Sequence, residues 1–164
     1  MDIVHASKQD IDLIMSLLER ARGIMRDNGN TQQWADGYPT RDIIAHDIEQ
    51  HNGYLAIQGG RAVAYFAMIA GPDPTYKQIY DGDWHRHNDD YYVIHRIAGT
   101  PEAHGVFGAI VDFCLQHTDY IRIDTHRDNT IMQHLLCKHG FTYCGVIYIA
   151  NGDDRLAYDM TTDK

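Results

Sequence analysis

The chain has 164 residues, with 14 Lys plus Arg against 23 Asp plus Glu, 11 His and a formal charge of −9. That length predicts one domain, residues 1–164, large enough for a single core. Hydrophobic residues at 44% and charged residues at 23% exclude a disordered chain, and the acidic balance excludes generic nucleic-acid binding. The N-terminus MDIVHASKQD has no apolar run, and no segment approaches the roughly 18 apolar residues that span a membrane. Cys114, Cys137 and Cys144 are odd in number and lack CxxC spacing, so they read as reduced thiols of a cytoplasmic protein.

Residues 2–6 predict a short strand. Ser7 and Asp10 resemble a capping box before a helix over 11–27, where Ile11, Ile14, Leu17, Leu18, Ala21, Ile24 and Met25 recur at helical spacing. Residues 32–40 form a turn-rich loop holding Trp34 and Tyr38. Thr40 caps a second predicted helix from Arg41 to about His51. Two apolar runs, 54–58 and 61–70, flank Gly59-Gly60 and predict an antiparallel hairpin. Residues 71–90 are a long polar connection with one helical turn expected near Tyr76–Tyr80. A strand over 91–99, a helix over 102–117, a strand over 120–125, a helix over 129–138, and strands over 140–150 and 155–160 complete the order. Helices interleaved with strands imply parallel pairing in the second half, and the hairpins imply antiparallel pairing at both ends. The fold class is therefore α/β with a mixed sheet.

Three features of the second half carry chemistry. Strand 91–99 runs into TPEAHGVFG, a strand–turn–helix junction whose glycines and free amides suit a pyrophosphate. IDTHRDN places Asn129 at a helix start, and KHGF ends that helix at Gly140-Phe141. On these residues, and on the element order over nearly the whole chain, the sequence resembles the GNAT N-acetyltransferase superfamily. The run from Arg122 to Tyr158 and the QW…GYP stretch resemble a bacterial subgroup of undefined substrate. In the phosphate-loop signature [Q/R]xxGx[G/A], Gly105 matches while Glu102 and Phe107 depart, and Gly108 comes one place late. In the later signature, Asn129, Gly140 and Phe141 match, Met132 replaces an alanine, and Leu136 stands where the family often has an acid tyrosine.

The resemblance implies a central sheet of about seven strands with about four helices. It also implies direct acetyl transfer from acetyl-CoA to an amine in a ternary complex. Strands 91–99 and 120–125 would splay to admit the pantetheine arm. Ile97, Ala98 and Gly99 would pair with that arm, and His104, Gly105, Val106, Phe107, Gly108 and Ala109 would hold the pyrophosphate. Asn129 would bond the pantetheine or a water beside it.

Histidine suits deprotonation of an ammonium near neutral pH. His95 is the favoured base or water relay, with His126 second. Tyr148 is favoured as thiolate acid over Tyr143 and Cys137. The acceptor pocket is expected to use Trp34, Tyr38, Trp84 and Tyr80, with Asp36, Asp83 and Asp89 attracting a cationic small amine or peptide. A non-catalytic CoA-binding sensor or interaction domain is the alternative. His85-x-His87 lacks further ligands at fixed spacing, so no metal is expected. Exposed late strands make a homodimer a mild expectation.

Overall fold

The computed structural model describes residues 1–162, and the chain order alternates as expected. Strand β1 (Asp2–His5) leads through a 3-10 turn into helix α1 (Ile11–Asp27). Asp10 Oδ2 accepts from the Ser7 backbone N–H at 2.8 Å and from its hydroxyl at 3.1 Å, which fixes that entry. Helix α2 (Arg41–Glu49) starts where Thr40 Oγ1 accepts from Ile43 N–H at 3.3 Å. Strands β2 (Gly53–Gln58) and β3 (Arg61–Ala70) form the hairpin. They are followed by β4 (Tyr92–Gly99), α3 (Val106–Leu115), β5 (Tyr120–Thr125), α4 (Thr130–Lys138), β6 (Thr142–Tyr148) and β7 (Asp154–Thr161).

Several boundaries differ from expectation, three of them for a clear local reason. Helix α3 starts at Val106, not Glu102, because Gly105 takes the left-handed conformation (φ 73°) and the preceding residues turn. The helical turn of the long connection lies earlier, at Pro74–Tyr76, where Asp73 caps it and Pro74 opens it. Strand β6 covers only Thr142–Tyr148. Gly140 is left-handed (φ 88°), and Phe141 N–H returns to Leu136 O at 2.9 Å to close α4.

The seven strands form one sheet in the order β1-β2-β3-β4-β5-β7-β6. Every neighbouring pair is antiparallel except β4 with β5. That parallel pair is in register only at Tyr92↔Ile121 and Val93↔Arg122, and the strands diverge beyond it. On its other side β4 carries a bulge. Tyr65 pairs with Ala98 and Ala67 with His95, so Phe66 faces two residues, and Arg96 sits at φ 56°.

Strand alternation divides the core. One face, with Phe66, Ile94, Ile121 and Ile123, packs under Ile110 of α3 and Leu136 of α4. On the other face, Ile14, Leu18 and Ile44 of α1 and α2 cover Leu55 and Tyr65. The β3–β4 connection covers the remainder, laying Tyr76 and Trp84 over Val93, Tyr120 and Ile147. No helix among the described residues is long and apolar enough to cross a membrane.

Candidate active site

Where β4 and β5 part, the sheet opens into a pocket of about 660 Å³. Ile94 to Ile97 line one wall, and Ile123 and Asp124 the other. The α1–α2 loop closes it with Gln33, Trp34, Asp36 and Tyr38. Asp73 and Thr75 enter from the β3–β4 connection, and Asn151, Asp153 and Arg155 from the β6–β7 side.

The bulge aims β4 into this space. Arg96, itself part of the pocket wall, donates from Nε to Asp47 Oδ2 (2.9 Å), from Nη2 to Asp47 Oδ1 (2.6 Å), and from Nη1 to the Tyr38 hydroxyl (3.0 Å). Tyr65 adds a third bond to Asp47, from its hydroxyl to Oδ2 at 2.7 Å. Burial and the Asp47 carboxylate push the Tyr65 phenol far above its ordinary range. This group ties α2, β3, β4 and the α1–α2 loop together through hydrogen bonds to one buried carboxylate.

His95, the residue before the bulge, lines the pocket and faces Asp73, with Nε2 3.4 Å from Oδ2. Asp73 Oδ1 accepts from both the backbone N–H (2.9 Å) and the hydroxyl (2.7 Å) of Thr75. Burial alone would raise the Asp73 pKa. The bonds from His95 and Thr75 outweigh it and hold the carboxyl at about 2. With Asp73 ionised, the Nε2 proton is donated to it, and Nδ1 is the basic nitrogen.

His126 is placed differently. It is absent from the pocket wall, and its Nδ1 accepts from Asp128 N–H at 3.0 Å in the turn after β5. Burial, followed by the nearby Arg155 cation, lowers its pKa. Tyr148 is half exposed against Tyr80, with ring centroids 5.3 Å apart, and lies outside the pocket. Tyr143 packs edge-on to Tyr158 and Cys137 is exposed. Leu136 is fully buried in the core, so its position offers no acid.

Of the three aromatics expected around an acceptor, Trp34 and Tyr38 line this pocket and Trp84 does not. The indole of Trp84 is buried, donates to Tyr76 O at 3.1 Å, and stacks on the Arg122 guanidinium, 4.2 Å from the ring centre. Asp36 joins the pocket. Asp83 pairs instead with His87 at 2.9 Å, and neither Asp83 nor Asp89 reaches the site.

Ala98 and Gly99 pair with Tyr65 and Ala64 of β3 and have no register partner in β5. Gly105 caps α3 without a side-chain bond, which leaves the first-turn amides from Val106 to Ala109 at an uncapped positive helix end. The Ala109 N–H itself closes on Gly105 O at 3.1 Å. His104 and Gly105 form the approach to that end, and Phe107 turns inward against Phe141 and His139. A Cβ on Gly108 would come within 3.1 Å of His139, so glycine lets α3 pack against the end of α4. The exposed Glu102 carboxylate is engaged by Arg20 of α1, a bond that lowers its pKa.

Asn129 caps α4, accepting from Met132 N–H at 3.0 Å, and its Nδ2 donates to Gln33 Oε1 at 3.0 Å. Gln33 Oε1 also lies within reach of Asn30 Nδ2, Thr125 Oγ1 and His126 N–H. Gln33, Asp73, Thr75 and Asp124 were not singled out from the sequence, and only the QW…GYP stretch offered a signal near one of them.

Comparison with solved structures finds this fold among known proteins. A GNAT-family acetyltransferase from Streptococcus agalactiae 2603 is 35% identical, covering 99% of this chain and 96% of that one with a TM-score of 0.85. A putative acetyltransferase from Staphylococcus aureus Mu50 is 22% identical, covering 99% and 100% with a TM-score of 0.71. AAC(6')-Ib in complex with paromomycin and acetyl-CoA shares the fold at 16% identity, covering 98% and 92% with a TM-score of 0.66. No family model and no curated protein matches the chain.

Proposed function

This chain belongs to the GNAT family of acetyltransferases, and from that premise we propose that it moves an acetyl group from acetyl-CoA to the primary amine of a small cationic acceptor. The observation that carries the reading is the Asp73–His95 pair set at the mouth of the β4–β5 split. Residues 1–164 act as one acetyltransferase domain.

The chain's own residues fit the cosubstrate. On the side of β4 that faces β5, the main chain from Ile97 to Gly99 has no strand partner and offers strand-type bonds to a pantetheine amide, as an open strand edge does. The α3 terminus, with the loop from His104 to Ala109, suits the diphosphate. Glu102, which would repel it, is occupied by Arg20. Asn129 acts here chiefly by fixing Gln33 and the α4 start.

The acceptor enters between the two halves. Asp36, Asp73, Asp124 and Asp153 give its wall an acidic character that draws an ammonium group. Trp34 and Tyr38 supply flat surface against its carbon frame. His95 Nδ1 takes the ammonium proton, directly or through one water, and Asp73 steadies the resulting imidazolium. The freed amine nitrogen attacks the thioester carbonyl, the new C–N bond forms, and the C–S bond breaks. The departing thiolate is a tolerable leaving group and takes up the proton that the acylated nitrogen sheds, so Tyr148, which lies outside the pocket, is not needed as its acid. His126 acts through the turn that it holds, not as a second base.

AAC(6')-Ib was solved with paromomycin, so aminoglycosides belong in the acceptor panel beside polyamines, amino-acid amides and N-terminal peptides. The three free thiols suit a cytoplasmic enzyme. A homodimer through the late strands and the absence of a nucleic-acid partner complete the proposal.

The test is thiol release from acetyl-CoA across that panel. Turnover with a cationic amine, lost in His95→Gln, is the expected result. Acetyl-CoA binding without turnover on any acceptor favours a non-catalytic sensor, and failure to bind acetyl-CoA defeats both readings.

A further inference from the structure

Outside the pocket, three donor side chains from three elements converge. His85 lies on the β3–β4 connection, Cys144 in β6 and Asp159 in β7. His85 Nδ1 is 2.7 Å from Asp159 Oδ1 and 3.4 Å from Cys144 Sγ, and the three donor atoms lie within 4.8 Å of one another. Both contacts meet at the same ring nitrogen. That excludes a nucleophile–base–carboxylate relay, which needs the thiol and the carboxylate on opposite nitrogens. What a single shared centre can serve is a metal ion.

We propose that His85, Cys144 and Asp159 form a binding site for a divalent ion of the zinc class, which clips the β3–β4 connection onto β6 and β7. Zinc takes nitrogen, sulfur and oxygen at about 2.0–2.3 Å, which sets neighbouring ligand atoms roughly 3–4 Å apart. The Cys144–His85 separation of 3.4 Å already fits, and the His85–Asp159 hydrogen bond of 2.7 Å opens slightly as the ion takes the place of its proton. A thiol with an imidazole selects against magnesium and calcium, which favour all-oxygen sets.

The convergence is built by the backbone. A Cβ on Gly82 would sit 1.9 Å from Cys144 O, and one on Gly145 would sit 2.5 Å from Tyr80 O. Tyr80 and Val146 exchange two backbone bonds at 2.8 Å. Glycine on both sides thus presses the connection onto β6 beside Cys144 and delivers His85 to the cluster.

An outer layer orients the carboxylate. Asp159 Oδ2 accepts from the Tyr120 hydroxyl and from His85 N–H, each at 2.8 Å, leaving Oδ1 turned toward the histidine. Cys144 and Asp159 are buried while the His85 side chain is half exposed. That leaves one open side for ion entry and a water as fourth ligand. Without an ion, burial raises the Cys144 pKa and keeps the thiol protonated. Binding sends the thiol proton to solvent and moves the imidazole Nδ1 proton to Nε2, so thiolate, neutral imidazole and carboxylate balance the ion's charge.

The experiment titrates cobalt(II) into untagged, chelator-stripped protein and reads the thiolate-to-cobalt charge-transfer band. One equivalent is expected, with the band bleached by zinc, retained in Cys137→Ser and absent in Cys144→Ser. No such band in the parent protein, or a band that survives in Cys144→Ser, overturns the proposal. Because Cys144 is a core residue, His85→Gln supplies a second readout on a half-exposed position. It is expected to weaken zinc binding roughly tenfold or more, and unchanged affinity overturns the site.

Discussion

Arg96 grips both oxygens of Asp47 through the Nε–Nη2 edge of its guanidinium while its own backbone stands in the left-handed region at the β4 bulge. The bulge alone does not hold a non-glycine residue there at no cost. The side-chain pair holds it, because Asp47 is buried and takes Tyr65 as well. The bulge thus becomes a property of a network that spans α2 and β4, one residue from His95.

Breaking that pair on one side strands a buried charge. Asp47→Ala is expected to lower stability by about 3–5 kcal/mol, the usual cost of removing one partner of a buried ion pair. Tyr65→Phe, which leaves the Arg96 pair intact, is expected to cost about 1.5–3 kcal/mol, the range for a bond to a charged group. Urea unfolding of the two variants checks the order. Equal losses would mean that the phenol, not the guanidinium, carries the network.

The Asp73–His95 pair makes a kinetic prediction. His95→Gln is expected to reduce kcat roughly 100-fold or more, the contribution of a general base, and to remove a histidine ionisation from the pH–rate profile. Asp73→Asn keeps the shape but not the charge, so the imidazole loses its fixed tautomer and kcat falls with KM for acetyl-CoA little changed. Steady-state kinetics from pH 5 to 9 separates the two. A His95→Gln enzyme with the parent profile would place the base elsewhere.

Legibility in the sequence followed the range of the interaction. Helix α1 was readable to the residue because Ile14, Leu17 and Leu18 recur along a long stripe and Ser7-Asp10 marks its entry. The α3 start was not, since apolar spacing continues backward through a turn that only the Gly105 conformation reveals. His95 was visible because it lies on a strand next to a recognisable junction. Its partner Asp73 is 22 residues away on a loop, and Gln33 meets Asn129 across 96 residues, so no local pattern pointed to either. Trp84 was assigned to the pocket on its chemistry alone. What removes it is Arg122, which stacks on the indole and carries it into the core.

His126 predicts an acid sensitivity of the fold. Its folded pKa lies below its unfolded value of 6.5, with burial as the main cause. In that window the unfolded chain binds more protons than the native one, so stability rises with pH and falls as pH drops below about 6.5. The native Nδ1 lone pair is committed to Asp128 N–H, so protonation there breaks the turn after β5. His126→Asn preserves an acceptor near that amide and removes the titration. Melting temperatures between pH 7.5 and 5 are expected to decline more steeply in the parent than in this variant. Parallel slopes would assign the acid loss to other groups.

Glu102 and Arg20 predict a linked effect on the cosubstrate. Glu102 stands at the turn that precedes the α3 terminus, and Arg20 reaches across from α1 to hold it. Both side chains are exposed, so the pair adds nothing measurable to stability. Its consequence is electrostatic. Arg20→Ala releases a carboxylate beside the proposed diphosphate position, and KM for acetyl-CoA is expected to rise several-fold with kcat unchanged. Glu102→Gln removes the repulsion and frees Arg20, so KM is expected to fall. The double variant, with neither charge, is expected to lie between the two. The differences should shrink in high salt, because both groups are solvent-screened. If Arg20→Ala and the double variant show the same KM, Glu102 does not face the cosubstrate, and the phosphate loop is read wrongly at that position.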